Sequence, residues 1–566
     1  MRKRWQIRKV DRGHLFRLAK EVSLPTVMAR VLMNRGIFTP HEAMQFLNPS
    51  FTLLEGLGEL PGLDEAVVLL DWVLRGNGRI LIFGDYDVDG LTGSALLFHF
   101  LKSLSAHVDV YIPNRFTEGY GVTEKAAQRI LKDNPPDLLI TVDCGIRDRD
   151  GLSLLRRKGV HLILTDHHLP DFDTLPEVHA LVSNFDLKTR ELLVPLSGAG
   201  MALALAYRYA EYRGLEENPL EEYLGLACLG TVADAVPLLG INRIIARYGL
   251  KKLNRSIPFG IQALLDVAGM KEREIGVEEI SCVIAPRLNA AGRMEDPMIA
   301  MRLLLSENWD EAVTMSQSLQ TLNSRRQKEE EKVLSEILES GAYSEFLEDP
   351  IVVVSGKGWN LGVLGIIASR LSGRLGRPAI VLSEGENLAV GSGRSIEGFS
   401  LIQVLGEASH LLIRYGGHEM AVGLKILPQN ISSFRRFINI QFGNEVEKMT
   451  SMQGLIVDAL IDLGEVDQGL LEWLRRLEPF GEQNPNPLFA VLNVSLIKSW
   501  IWGRSNQHLR FLVKQGREVQ EMVVFHGKEK ALDLHGSSLV DLAFEVQCDN
   551  YGNYPYLKVH DWRIKK

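Results

Sequence analysis

Three hydrophobic patterns succeed one another along the chain. From Arg79 to about Pro237, short unbroken apolar runs (Ile80-Leu81-Ile82-Phe83, Leu138-Leu139-Ile140, Leu162-Ile163-Leu164) alternate with amphipathic segments at Thr92–Leu104, Val122–Asp133 and Arg147–Lys158, and a small-residue helix follows over Gly198–Tyr212. Unbroken runs read as strands buried on both faces, and their alternation with helices predicts a parallel sheet covered on both sides. A second α/β unit starts at Ile351-Val352-Val353-Val354 and continues through a helix over Leu361–Leu375 and a strand over Ala379–Leu382. Between Asn308 and Ser340 neither Pro nor Gly occurs, while Val313, Leu319, Leu322, Val333 and Ile337 recur at helical spacing. Such a helix runs about 50 Å at 1.5 Å per residue and is expected to bridge the two units. After Gly454 short alternating strands take over, at Gly454–Ile461, Leu488–Ile497, Leu509–Lys514, Gln520–Phe525, Leu542–Cys548 and Tyr556–Trp562. Their even spacing predicts a small barrel of OB type. Residues 1–75 read as a helical lead-in to the first α/β domain, with Pro40–Leu47 a short helix ended by Asn48-Pro49.

The ends of the first three strands carry the most unusual residues. Gly84-Asp85-Tyr86-Asp87-Val88-Asp89-Gly90 sets three carboxylates at alternate positions, which in an extended chain point the same way. Like charges converge only around something positive, and a divalent metal is the candidate. Thr141-Val142-Asp143-Cys144-Gly145 and Leu164-Thr165-Asp166-His167-His168 repeat the plan, and Asp234 lies in the otherwise apolar Gly230–Leu238. A single Asp after a strand is ordinarily a cap or turn residue. Asp and His gathered at three successive strand ends, where open α/β sheets bind ligands, exceed that explanation. Oxygen donors with a few imidazoles suit Mn²⁺ or Mg²⁺ better than structural zinc, histidine favouring Mn²⁺. The set suffices for two ions about 3.5 to 4 Å apart, the arrangement that hydrolyses phosphoesters and phosphoanhydrides.

Composition narrows the class. The 566 residues exceed one core, and about 150 residues per domain predicts three or four domains. With 46% hydrophobic and 24% charged residues the chain reads as an ordinary folded protein. No apolar run approaches the roughly 18 residues of a membrane span. The basic start Met1–Ile7 lacks a signal peptide's apolar core, so a cytoplasmic protein is expected. Cys144, Cys228, Cys282 and Cys548 show no paired spacing and are expected as buried thiols, Cys144 adjoining the proposed site. A net charge of −8 argues against wholesale coating of nucleic acid but leaves room for a local basic groove. Trp500, Trp502, Tyr551 and Tyr554 fit either base stacking or the barrel's own core and turns. The run Arg325–Lys332 reads as a solvated face, with DNA contact by Arg325 and Arg326 as the alternative. The glycine-rich Val390–Ser395 and Tyr415–Gly423 read individually as tight turns; together with Arg394 they offer donors to an anion.

The order DYDVDG, TVDCG, TDHH and GTVADAVPL resembles the four motifs of the DHH phosphoesterase superfamily, and GSGRS with GGHEMAVG resembles its DHHA1 substrate domain. With APRLNAAGRM at Ala285–Met294 and the OB-like region, the resemblance covers roughly residues 35–566 and extends to the bacterial single-strand-specific 5′-to-3′ DNA exonucleases of that superfamily. It implies an α/β fold: a parallel-sheet DHH catalytic domain (76–240) after the lead-in (1–75), a helical region with the long connecting helix (241–345), a DHHA1 substrate-binding domain (346–450) and an OB-like DNA-binding barrel (451–566). It also implies metal ligation by Asp85, Asp87, Asp89, Asp143, His167 and Asp234, with Asp143 bridging two divalent ions, Mn²⁺ or Mg²⁺. His168 would face the scissile phosphate, with Asp166 orienting an imidazole from behind. Arg115, with Arg287 or Arg293, Ser392 and Arg394, would form a pocket for the 5′ end. Asn289, Gly416 and Gly417 are carried over as substrate-binding residues, and His418 as a catalytic group beside the metals. Release of 5′-mononucleotides in DNA recombination and repair, a helicase and a single-strand DNA-binding protein as partners, and a monomeric chain complete the expectation.

One departure stands out. The family pattern PFGxGNPxPxF is matched by Pro479–Phe489 except that Gln483 replaces a glycine. The rival reading is a small-substrate hydrolase of the same superfamily, acting on pyrophosphate, oligoribonucleotides or cyclic dinucleotides. It shares the first four motifs, but the long helix and barrel suit a held single strand. A binding scaffold with a dead site is the other alternative, and it would be expected to have lost ligands that are all present here.

Overall fold

In the computed structural model, which describes residues 4–565 apart from 217, 272, 340, 342, 453, 504–506, 526–538 and 549–554, the apolar runs ahead of the carboxylates form one sheet. Strand β1 (Arg4–Ile7) opens the chain, and β2 (Arg79–Gly84), β3 (His107–Tyr111), β4 (Leu138–Val142), β5 (His161–Asp166) and β6 (Ala180–Ser183) follow. The last five pair in parallel in the order β3-β2-β4-β5-β6. Alternate residues serve opposite faces. Ile80, Ile82, Leu138, Ile140 and Ile163 pack with the helices Val88–Ser103 and Gly198–Arg213. Leu81, Phe83, Leu139, Leu162 and Leu164 pack with Glu124–Asp133 and Arg149–Arg157. All five strands therefore point their carboxyl ends at one edge.

The bridging helix spans Trp309–Glu339, 31 residues. It leads to a second sheet of β7 (Val352–Lys357), β8 (Ala379–Glu384), β9 (Ala389–Arg394), β10 (Leu412–Gly417) and β11 (Ala421–Ile426), ordered β10-β11-β9-β8-β7. Both glycine-rich runs fall largely in antiparallel strands here, a correction to their reading as turns. On β9 glycine is needed because of packing: a Cβ at Gly391 would meet Leu382 at 2.6 Å, and one at Gly393 would meet Val422 at 2.7 Å. The charged run Arg325–Lys332 of the long helix is solvated for most of its length, as expected, with two exceptions. Arg326 is buried, donating to Glu330 at 2.9 Å and to Asn323 at 2.7 Å, and the fully buried Glu330 also pairs with Arg370 of the helix Leu364–Leu375. Arg325 stays exposed.

Strands β12 (Gly454–Val457), β13 (Ala459–Leu460), β14 (Leu488–Trp502), β15 (His508–Gln515), β16 (Glu518–Val524), β17 (Leu539–Cys548) and β18 (Pro555–Lys565) build the C-terminal body. The order β13-β14-β15-β16-β18-β17 closes into a barrel through the β14–β17 pairing. The lead-in departs most from expectation. Its first residues are a strand, β1, paired in parallel with β12 (Arg4 opposite Gly454). Leu15, Leu18, Met28, Leu32 and Leu47 share a core with Phe489, Phe511, Leu542 and Phe544 of the barrel. Only from Phe51 onward does this region join the first domain's core. Periodicity fixed the helices, including Pro40–Leu47 with its Thr39–Glu42 capping box, but period alone cannot say which body a helix covers.

Cys144 and Cys228 are buried, whereas Cys282 is exposed, contrary to expectation; the side chain of Cys548 lies outside the described residues, as do Tyr551 and Tyr554. Among the described residues no helix is long and apolar enough to cross a membrane.

Candidate metal centre and substrate cleft

Each metal-type side chain owes its place to a chain reversal at the carboxyl edge of the first sheet. The three carboxylates after β2 do not converge by strand alternation, because the helix begins earlier than expected, at Val88. Asp85 directly follows β2, its N–H on the Val142 carbonyl at 3.2 Å. Asp87 is the helix N-cap, accepting from the N–H groups of Asp89 and Gly90 at 3.0 and 3.2 Å. Asp89 lies in the first helical turn and is buried against the start of the helix Gly198–Arg213, accepting from the N–H of Gly198 at 2.5 Å and of Ala199 at 2.9 Å. A carboxylate is favoured there by the free N–H groups and the helix dipole. Ser197 caps that helix. The Ser-Gly-Ala-Gly sequence at its start was legible as a helix N-terminus, but nothing in the sequence told which carboxylate it would meet.

Asp143 follows β4 with a left-handed φ of 64° and is held by its N–H on the Thr165 carbonyl at 3.1 Å. Its Oδ1 is buried without a hydrogen-bond partner, 3.0 Å from His167 Nε2. The same imidazole nitrogen lies 3.6 Å from Asp234 Oδ2 and 3.9 Å from Asp89 Oδ2. Three donor sets result, Asp85–Asp87–Asp143, Asp89–His167–Asp234 and Asp143–His167–His168, with donor atoms in each within 4.8 Å of one another. Asp143 appears in two of them. Asp166 faces away, accepting from His168 Nδ1 at 2.7 Å and from the Ile146 N–H at 2.9 Å. Cys144 is packed into the opposite face with its thiol toward the Phe83 carbonyl, so it is no ligand.

Electrostatics sharpen the picture. Burial, then the charge of Asp87, pushes Asp85 well above the usual carboxylate range. Burial with Asp89 and Asp87 does the same to Asp143, raises Asp234 to about 8, and, with Asp87 alone, raises Asp89 to about 6 against its N–H bonds. Burial and the neighbouring His168 push His167 down to about 3, leaving a neutral imidazole able to ligate. His168 is lowered by burial but raised more by its bond to Asp166, to about 9. Carboxylates this close resist joint ionisation; a multivalent cation reverses that resistance. The orphaned Asp143 oxygen and the mixed oxygen–imidazole donors fit Mn²⁺ or Mg²⁺.

Around this cluster the structure gathers some of the expected substrate residues and separates others. His418, between β10 and β11, stacks on His168 with ring centroids 6.1 Å apart, so the second sheet reaches the metal-type ligands. Arg293 donates to the Gly362 carbonyl and lies within electrostatic reach of Arg115, Asp87 and Arg394. Arg115 sits over the Tyr86 ring at 5.1 Å. Ser392 and Arg394 are side by side on β9, both beside Gly365. Arg287 turns elsewhere: it donates to Gln320 of the long helix and to the Val283 carbonyl. Asn289 accepts from the Val88 N–H at 3.0 Å, fixing the start of the carboxylate-bearing helix. Gly416 faces open space, and a Cβ at Gly417 would strike the Ala421 carbonyl oxygen at 2.2 Å. Arg147, unremarked in the sequence, donates twice to the Leu169 carbonyl and so braces the loop after His168. On the barrel, Trp502 is 39% exposed with Arg510 4.0 Å over its ring, and Lys498 lies over Trp500.

Carboxylates and imidazoles at the carboxyl edge of a parallel sheet, covered by a second glycine-rich sheet, define a metal-dependent phosphoesterase of the DHH type. Family models agree: the DHH family N-terminal domain matches residues 79–231, the DHHA1 domain 348–444 and the RecJ OB domain 457–560. The single-stranded-DNA-specific exonuclease RecJ of Bacillus subtilis is 33% identical across the whole chain, which spans 71% of that relative; the Escherichia coli protein of the same name is 31% identical over 93% of this chain and 94% of its own. The crystal structure of Thermus thermophilus RecJ in complex with Mn²⁺ superposes with a TM-score of 0.82 at 30% identity, covering all of this chain and 80% of that one. The chain belongs to the RecJ family.

Proposed function

We propose that this protein is a metal-dependent, single-stranded-DNA-specific exonuclease that works from the 5′ end, releases 5′-mononucleotides and serves DNA recombination and repair. The observation that carries the reading is the cluster of buried Asp85, Asp89 and Asp143 with the partly exposed Asp234, in which His167 Nε2 lies 3.0, 3.6 and 3.9 Å from the oxygens of Asp143, Asp234 and Asp89, with Arg115, Arg293 and Arg394 in electrostatic reach beside it. Two divalent ions, when bound, supply activation of water and charge for the departing oxygen.

The chain's own residues do the rest. Asp85 and Asp87 would hold one ion and Asp89, His167 and Asp234 the other, with Asp143, whose Oδ1 lies 3.0 Å from His167 Nε2, placed to serve both. Asp166 fixes the ring of His168, which presents positive charge to the scissile phosphate, with His418 on the opposite wall. Arg115, Arg293, Ser392 and Arg394 hold the 5′ end, and Gly416 and Gly417 let the strand approach the backbone of the second sheet closely. Asn289 supports the site from behind, and Arg287 stabilises the long helix instead of touching substrate. Trp500 and Trp502, each under a cation, offer stacking surfaces on the barrel. An exonuclease restricted to single strands requires a helicase to open duplex ends, and a single-strand DNA-binding protein is the matching partner; the protein acts as a cytoplasmic monomer.

The test uses Mn²⁺ and a single-stranded oligonucleotide labelled at either end, with Asp143→Ala, a blunt duplex, pyrophosphate and a cyclic dinucleotide in parallel. Mononucleotides from the 5′ end of single strands only, lost in Asp143→Ala, support the proposal. An intact oligonucleotide with turnover of a small substrate refutes it.

A further inference from the structure

The C-terminal body does more than follow the catalytic domain in sequence; one of its turns is bolted to the segments that carry metal-type ligands. Asp234 ends the helix Leu224–Ala233, and the next residues run directly against the turn after Leu477: the Leu238 N–H donates to the Glu482 carbonyl at 2.9 Å, and a Cβ on Gly481 would lie 2.5 Å from the Leu238 side chain. Two neighbours in the following helix, Asn242 and Arg243, are both buried.

Asn242 donates to the carbonyls of Pro195 at 2.6 Å and Pro237 at 3.1 Å. It thereby ties the stretch after Asp234 to the stretch before Ser197, whose helix start holds Asp89 and whose Leu196 backbone meets His167. Arg243 points the other way. Its guanidinium donates to the carbonyls of Phe46, Leu477, Arg476 and Glu478 at 2.8 to 3.0 Å, reaches Pro479 at 3.4 Å, and lies 4.0 Å over the Phe46 ring. A buried cation satisfied by backbone carbonyls alone fixes geometry closely, because each lost carbonyl leaves a donor unpaired at high cost. Asn484 holds the same turn from inside, donating to Leu477 and Pro479 and accepting from Arg35.

We propose that Asn242 and Arg243 are positioning residues for the ion site made by Asp89, His167 and Asp234, and that the 476–484 turn of the C-terminal body is a structural part of that site. The inference rests on the metal-centre reading above. Residues that orient ligands from behind typically change metal affinity about 10- to 100-fold when altered.

Mn²⁺ binding by the full chain is titrated calorimetrically and by electron paramagnetic resonance for wild type, Arg243→Met and Arg243→Lys, with oligonucleotide hydrolysis followed across Mn²⁺ concentration. The expected result is one ion weakened about tenfold or more in Arg243→Met and less in Arg243→Lys, the other ion unchanged, and kcat restored by added Mn²⁺ with KM for DNA unaltered. Two ions bound at wild-type affinity, or a KM defect that Mn²⁺ does not rescue, overturns the inference. Should Arg243→Met fail to fold, Asn484→Ala is read by the same criteria, together with exchange protection of the Leu238 amide. A wild-type protein that binds fewer than two ions sinks the metal-centre reading itself, a separate failure.

Discussion

Replacing Gly198 with alanine tests the clamp on two ligands at once. A Cβ there would lie 2.5 Å from Asp143 Cβ, 2.8 Å from its Cγ and 2.9 Å from Oδ1. Ordinary contact begins near 3.4 Å, so about 0.9 Å must be found. The helix start cannot retreat without stretching the Gly198 and Ala199 N–H bonds to Asp89, and Asp143 is fixed by its Thr165 bond and left-handed backbone. Either movement displaces a carboxylate that, as a ligand of the proposed metal centre, would have to meet a small divalent ion within a few tenths of an ångström of about 2.1 Å. Misplacement of about 1 Å at a reacting centre costs roughly 100-fold, or about 2.7 kcal/mol of barrier. Overpacking should cost about 1–3 kcal/mol of stability as well. The assay is kcat/KM on a single-stranded oligonucleotide beside Mn²⁺ titration, with circular dichroism to verify folding. A folded Gly198→Ala protein within about threefold of wild-type activity, binding Mn²⁺ normally, would refute the steric argument.

Three further outcomes are expected. Gln483 occupies the left-handed region at φ 56°, costing roughly 1–2 kcal/mol for a side chain, so Gln483→Gly should raise stability by about 0.5–1 kcal/mol after the unfolded-state entropy of glycine; a lowered urea midpoint would contradict this. Glu330→Ala strands Arg326 in the interior and should cost about 3–5 kcal/mol, whereas Arg326→Met with Glu330→Leu should cost far less, a contrast that a urea-unfolding cycle measures. Asp71 is held below the usual carboxylate range: burial opposes this, but its bond to Arg213 and the charge of Arg75 outweigh it. A depressed folded-state pKa gives stability above the unfolded value of about 3.9 and loses it as pH falls further. Asp71→Asn should therefore lower the melting temperature near pH 7, with the gap narrowing as pH falls below about 3.9 and through the depressed folded-state value, and a gap that does not narrow in acid would count against the linkage.

How much the sequence disclosed depended on whether a signal was local. Strand ends carrying Asp143, His167 and His168 were legible because a charged residue after a buried run is costly and needs a reason. The long helix from Trp309 was legible because nothing interrupts its period. What resisted reading was contact between distant segments. Arg326 looks like any member of a charge run until the helix bearing Arg370 is packed against it. The glycines of β9 looked like a turn because the side chains that require them, Leu382 and Val422, belong to neighbouring strands. Asn289 reads as a substrate contact by its motif, yet its oxygen faces the Val88 N–H.

The lead-in helices complete a core whose other half, from Ala459 to Val559, leaves the ribosome long after them. At about 5–20 residues per second, Leu15, Met28 and Leu32 wait roughly half a minute or longer for Phe489 and Phe544 to exist. During that interval the nascent chain carries an uncovered greasy surface ahead of the catalytic sheet that folds behind it. Deleting residues 12–47 and deleting β17 with β18 open the same body, so both should produce the same insoluble, chaperone-bound product.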